Sequence, residues 1–181
     1  RSIGLYMIKN GIDIHDKDAV EKASEKADVS LKYIDGTQHV ILNGEDVSDQ
    51  IRTEEVSKAA SVVSAYPQVR KNLTALQKKL AESENVVMDG RDIGTCVLPN
   101  ADLKIYLTAS AEVRGKRRFK ELTAKGEKAD LTEIVEDIKK RDEADMTREI
   151  SPLKKADDAV EVDSSDMTID DVVARIKGLY D

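Results

Sequence analysis

One cysteine, three prolines, one phenylalanine and no tryptophan are spread over 181 residues, and each scarcity excludes something. The lone Cys96 cannot close a disulfide within the chain, which argues against a stapled extracellular scaffold and fits a reducing compartment. It also has no recognisable base partner, so it reads as a small apolar residue. The two histidines, His15 and His39, stand among turn residues and near a strand with no metal-ligand partner at useful spacing, and no zinc site emerges. No run of 18 apolar residues occurs, which excludes a spanning helix, and no membrane partner is expected. The opening RSIGLYMIKN lacks the long apolar core and cleavage site of a secretory signal. Internal repeats and low-complexity linkers are missing as well. A cytoplasmic protein is the expectation.

What is present is charge. Asp, Glu, Lys and Arg make up 36% of the chain, with a net charge of −7 that disfavours nonspecific binding to nucleic acid. The arginines are nonetheless local, gathered at residues 114–118 and 141–148, which suits a small anion. The length allows one domain with a small insertion. Residues 1–10 read as a helix stopped by Asn10-Gly11, and residues 16–27 as a polar helix with Asp16 as its N-cap. VSLKYID and HVILNG, separated by Asp35-Gly36-Thr37 and followed by Asn43-Gly44, predict an antiparallel hairpin with a third strand. Helices at 53–65 and 67–83 break at Tyr66-Pro67. Two apolar runs, 85–90 and 101–107, predict strands of a parallel sheet covered on both faces. Helices at 110–124 and 131–145, a strand at 159–162 and a helix at 169–179 complete an α/β pattern.

Three constellations could carry chemistry. A strand ending in Asp89-Gly90-Arg91-Asp92 would deliver its charges to the sheet edge where open α/β folds hold ligands. Asp89 there resembles a carboxylate that orients Mg²⁺ or its waters, although a structural Arg–Asp pair accounts for the stretch equally well. Arg141, Asp145 and Arg148 share one face of a continuous helix, as a phosphate clamp or as an ordinary solvated face. Arg114, Arg117 and Arg118 form a basic face that could reach a triphosphate, beside a Gly126 turn suited to a lid or to a plain surface loop.

NGEDVSDQIRTEEVSKAAS, YPQVRKNL, VVMDGRDIGTCVLPNADLKIYLTAS, EVRGKRR and IKKRDEADMTREISPLKKADDAVEVDSS, in that order, resemble bacterial cytidylate kinases over nearly the whole chain. The resemblance implies a P-loop nucleoside monophosphate kinase-like parallel sheet with flanking helices, a small antiparallel β insertion that binds CMP, and a lid. It implies a core of residues 1–27 and 84–181, a lid at about 114–135 and a CMP-binding insertion at 28–83. By the same resemblance Ser61, Arg70 and Asp92 read cytosine, whose exocyclic amino group suits a carboxylate where the uracil carbonyl does not. Arg1, Arg91 and Arg148 match phosphate-binding arginines. Arg141 and Asp145 match residues around the ribose, and Arg114, Arg117 and Arg118 match lid-side arginines near ATP. ATP and CMP or dCMP are the implied small-molecule partners, with Mg²⁺ as cofactor, and the family implies a monomer.

One departure stands out. No G-x-x-x-x-G-K-[ST] occurs in the 181 residues, so the loop that cradles ATP phosphates is missing, together with the first strand. These features predict a fragment of a longer chain, inactive by itself. Two other readings stay open: a kinase for UMP or AMP, and a nucleotide-binding module without catalysis.

Overall fold

The computed structural model describes residues 1–180, which fall into two compact units, Arg1–Val86 and Val87 onward. None of the helices among the described residues is long and apolar enough to cross a membrane.

The first unit is built around helix α1 (Ser2–Lys9), buried at Ser2, Ile3, Gly4, Leu5 and Met7. A helix apolar on nearly every side must be covered on every side. Ile3 and Met7 pack with Val20, Val63 and Val69, while Leu5 packs with Leu42, Val47 and Val56. Gly4 brings α3 (Glu54–Val63) close, since a Cβ there would lie 2.8 Å from the Ala60 nitrogen. Asp16 caps α2 (Lys17–Ser24) by accepting from Ala19 N, as its position before the polar helix predicts. Pro67 opens α4 (Pro67–Ser83).

Strands β1 (Val29–Ile34) and β2 (Thr37–Leu42) pair antiparallel, with Val29 opposite Leu42 and Ile34 opposite Thr37. The two-residue turn Asp35-Gly36 has positive φ at both positions, 50° and 75°. Asn43-Gly44 repeats this geometry and leads into β3 (Glu45–Asp46). Both are the dipeptides that a primed hairpin turn demands. A short 3₁₀ turn, Gln50–Arg52, precedes α3.

In the second unit β4 (Ile105–Thr108) and β5 (Val160–Asp163) pair in parallel, Ile105 opposite Val160. The crossover between them carries α5 (Ala111–Ala124) and α6 (Leu131–Thr147), which pack on each other. Ser110 caps α5 by accepting from Val113 N, and Gly126, at φ 78°, ends the turn after it. Helix α7 (Ile169–Tyr180) follows β5.

Two strand expectations need correction. Residues 85–90 form no strand: the stretch has no ladder partner among the described residues and leaves Val87 fully exposed. An apolar run becomes a strand only where another backbone lies beside it, and among the described residues this sheet pairs β4 with β5 and nothing else. Within 101–107 only Ile105 onward is a strand, and Leu107 is exposed, so β4 is not covered on both faces.

Candidate functional site

The turn at 89–92 does not cap a strand, but it delivers Arg91 and Asp92 to a charge cluster all the same. After Asp92 the chain makes a single π-helical turn, Ile93–Val97, in which Val97 N donates to Asp92 O at 3.2 Å and Leu98 N to Ile93 O at 2.7 Å. Such turns are rare and concentrate at functional sites. The turn fixes Asp92, which is buried, at the base of the loop.

Helix α6 supplies the other half. Arg91 Nε donates to Asp145 Oδ2 at 2.9 Å. Arg148 follows the last turn of α6 with extended backbone, and its guanidinium lies 3.6 Å from Asp145 Oδ1 and 3.5 Å from Asp92 Oδ1. Arg148 Nε also donates to Ser151 O at 2.6 Å, and Leu153 N donates to Asp145 O, which pins the 148–153 turn against the helix end. Two guanidiniums and two carboxylates thus alternate within ion-pair range, and Arg148, Asp92 and Asp145 are all mostly shielded from solvent. Charges so shielded interact more strongly than surface pairs, and their oxygens and N–H groups are fixed in place before any ligand arrives.

Not every charge predicted for this region joins it. Asp89 and Arg141 are exposed. Arg141 stands one residue from Asp142 on α6, about 100° around the helix, and it is Asp142 and Asp145, three apart, that engage neighbouring segments. One exposed carboxylate builds no metal cage, and no group of three or more His, Cys, Asp or Glu able to hold an ion occurs among the described residues.

The α5 arginines divide by partner. Arg114 donates from Nε to Ala109 O at 3.0 Å and, through both terminal nitrogens, to the two oxygens of Asp142 at 3.0 and 2.5 Å. The Asp142 carboxylate raises the Arg114 pKa above its ordinary value. Arg117 reaches the carboxyl edge of the parallel pair, where its guanidinium donates to Ser164 O and to the Ser164 hydroxyl. Ser164 itself bonds Thr108 O through both N and Oγ, tying the ends of β4 and β5 together. Arg118 pairs with exposed Glu121 one turn on.

In the first unit, Arg1 donates from Nη1 to Ile51 O at 2.8 Å. Arg70 donates from Nη1 to Ser64 O at 3.0 Å, and the Ser64 hydroxyl donates to Ser61 O. Both contacts run through Ser64 at the junction of α3 and α4, where Ser61 is exposed and Arg70 half-buried. Asp142 and Ser164 are the residues that the sequence did not single out. Their partners lie 28 and 47 or more positions away, and no local pattern marks them.

A family model described as cytidylate kinase matches residues 1–181. The chain is 48% identical over 180 residues to a cytidylate kinase of Caldicellulosiruptor bescii, covering 99% of this chain and 80% of that protein. It is 48% identical over 176 residues to one from Geobacillus kaustophilus and 46% identical over 176 to one from Caldanaerobacter subterraneus, in each case across 97% of this chain. The Geobacillus and Caldanaerobacter proteins are covered to 79% and 77% of their length.

Proposed function

The chain belongs to the cytidylate kinase family, and from that premise we propose that its charge cluster binds CMP or dCMP for phosphorylation by ATP. The observation that carries the reading is the alternation of Arg91, Asp145, Arg148 and Asp92 at the end of α6. A nucleoside monophosphate presents a dianion, sugar hydroxyls and an amino group. Two guanidiniums suit the first, a carboxylate such as Asp145 the second, and Asp92 the third. Arg141 serves the ribose side; within the first unit, the family resemblance assigns Arg1 to phosphate and Ser61 with Arg70 to cytosine.

In the reaction an oxygen of the CMP 5′-phosphate attacks the γ-phosphorus of ATP. The bond from that phosphorus to the β-bridging oxygen breaks, and CDP and ADP leave. The protein forms no covalent bond. Its side chains orient the acceptor phosphate in line and spread the charge of the transferring group, which is where phosphoryl transfer gains most of its rate. Arg114, Arg117 and Arg118 serve the triphosphate, and the turn at Gly126 lets α5 and α6 close over it and exclude water. Mg²⁺ bound with ATP would supply neutralisation of the phosphate charge. Asp89, as one exposed carboxylate, fits contact through a bound water, since Mg²⁺ keeps several waters and takes few protein ligands. The 181 residues contain no phosphate-cradling glycine loop, so by themselves they are expected to bind CMP but to release almost no ADP.

Calorimetric titration of CMP and UMP, separately, into the 181-residue protein tests the base assignment. Binding of CMP in clear preference to UMP supports it, and equal binding of the two removes Asp92 as a cytosine reader. Preference for UMP or AMP in turnover by the protein as its gene encodes it would make this a different monophosphate kinase.

A further inference from the structure

Asp142 is the one acid of α6 whose carboxylate grips an arginine of α5 at both ends. A guanidinium carries five N–H donors. The two Asp142 oxygens and Ala109 O take three of those on Arg114 and fix the plane of the group, while the side chain stays partly open to solvent. The remaining donors are left for a ligand. Three residues further along the same helix, Asp145 holds Arg91 and lies within ion-pair range of Arg148. Helix α6 therefore ties the arginine of α5 and the arginines of the charge cluster to one rigid body, through two acids that stand on neighbouring positions of its surface.

We propose that Asp142 is a positioning residue for phosphoryl transfer, acting through Arg114; this rests on the kinase reading above. It fixes where the Arg114 charge sits relative to α6, and so relative to the acceptor phosphate that Arg91 and Arg148 hold. A flexible arginine would have to be ordered during each turnover, and a tethered one has been ordered by folding. Gly115 supports the arrangement. A Cβ there would lie 2.4 Å from Val135 Cγ2, so the absence of a side chain next to Arg114 lets α5 and α6 approach closely enough for the fork to form.

The test compares the protein as its gene encodes it with its Asp142→Asn and Asp142→Glu forms, measuring ADP release against CMP and ATP, and CMP affinity by calorimetry. Asp142→Asn keeps one acceptor but loses the charge and half of the fork. The expected result is a kcat lower by roughly 10- to 100-fold, with the CMP Kd within about two-fold of the parent. Asp142→Glu should recover part of the loss. In an Arg114→Ala background, Asp142→Asn should cost little more, since the partner through which it acts is gone. Unchanged kcat with a lower Tm would make the pair a purely structural brace and overturn the proposal. A parallel loss of CMP affinity, or a full additional loss in the Arg114→Ala background, would overturn it as well. If the parent releases no ADP with CMP, the kinase reading fails and takes this proposal with it. ADP release by the parent with no change in Asp142→Asn sinks this proposal alone.

Discussion

At Gly115 any side chain would meet the side chain of Val135, and the contact at 2.4 Å is too short to absorb without movement. Gly115→Ala is therefore expected to destabilise the second unit by about 1–3 kcal/mol despite the better helix propensity of alanine. The obstruction is the end of a side chain rather than backbone, so it should be relieved from the other side. Val135→Ala in the same molecule should return most of the loss, and urea denaturation of the two single variants and the double variant measures this. A double variant no more stable than Gly115→Ala would show that the strain lies in the backbone. Gly4 differs in kind, because the atom opposite it is the Ala60 nitrogen and no compensating truncation exists.

Among the elements, the hairpin carries an acid-sensitive brace. Asp46 accepts from the Ser48 hydroxyl at 2.6 Å and Ser48 N at 3.0 Å, and its other oxygen lies 2.5 Å from His39 Nδ1. The Ser48 hydroxyl first, then its N–H and then His39 hold the carboxyl down to about 2 from its ordinary 3.8. A carboxyl with a lower pKa in the folded state contributes stability above pH 3.8 that disappears as the pH falls through 2. The stability difference between the protein and its Asp46→Asn form should accordingly shrink between pH 4 and pH 2. A difference that stays constant over that range would mean the brace carries no stability. The same hairpin shows which parts of the fold were readable from the residues. Asp35-Gly36 and Asn43-Gly44 fix their turns through their own backbone preferences, and Asp16, Ser110 and Tyr66-Pro67 mark helix boundaries for equally local reasons. Residues 85–90 misled because a strand depends on a neighbouring backbone that composition cannot report. In the charge cluster Asp92, Asp145 and Arg148 were legible through the family resemblance and helical spacing. Arg141 has the same spacing yet stays exposed, and Asp142 was hidden because its partner is on another helix.

For the molecule as a whole, the decisive number is the ratio of CMP to UMP affinity in the protein and in Asp92→Asn. An amide offers both a donor and an acceptor, so Asp92→Asn should narrow a preference for CMP by at least about tenfold. An undiminished preference would move base recognition elsewhere, to Ser61 and Arg70 first. The two compact units add a further consequence at this scale. Around the boundary between them, residues 85–89 belong to no helix or strand, with Val87 fully exposed and no hydrogen-bonded partner strand among the described residues. A protease needs a stretch of chain that it can draw into its own cleft, and this one is exposed and held by no helix or strand ladder. Brief digestion with thermolysin, which cuts before bulky apolar residues, should make its first incision at Val86, Val87 or Met88. It should leave two fragments of similar mass, each resistant for longer than the bond that joined them.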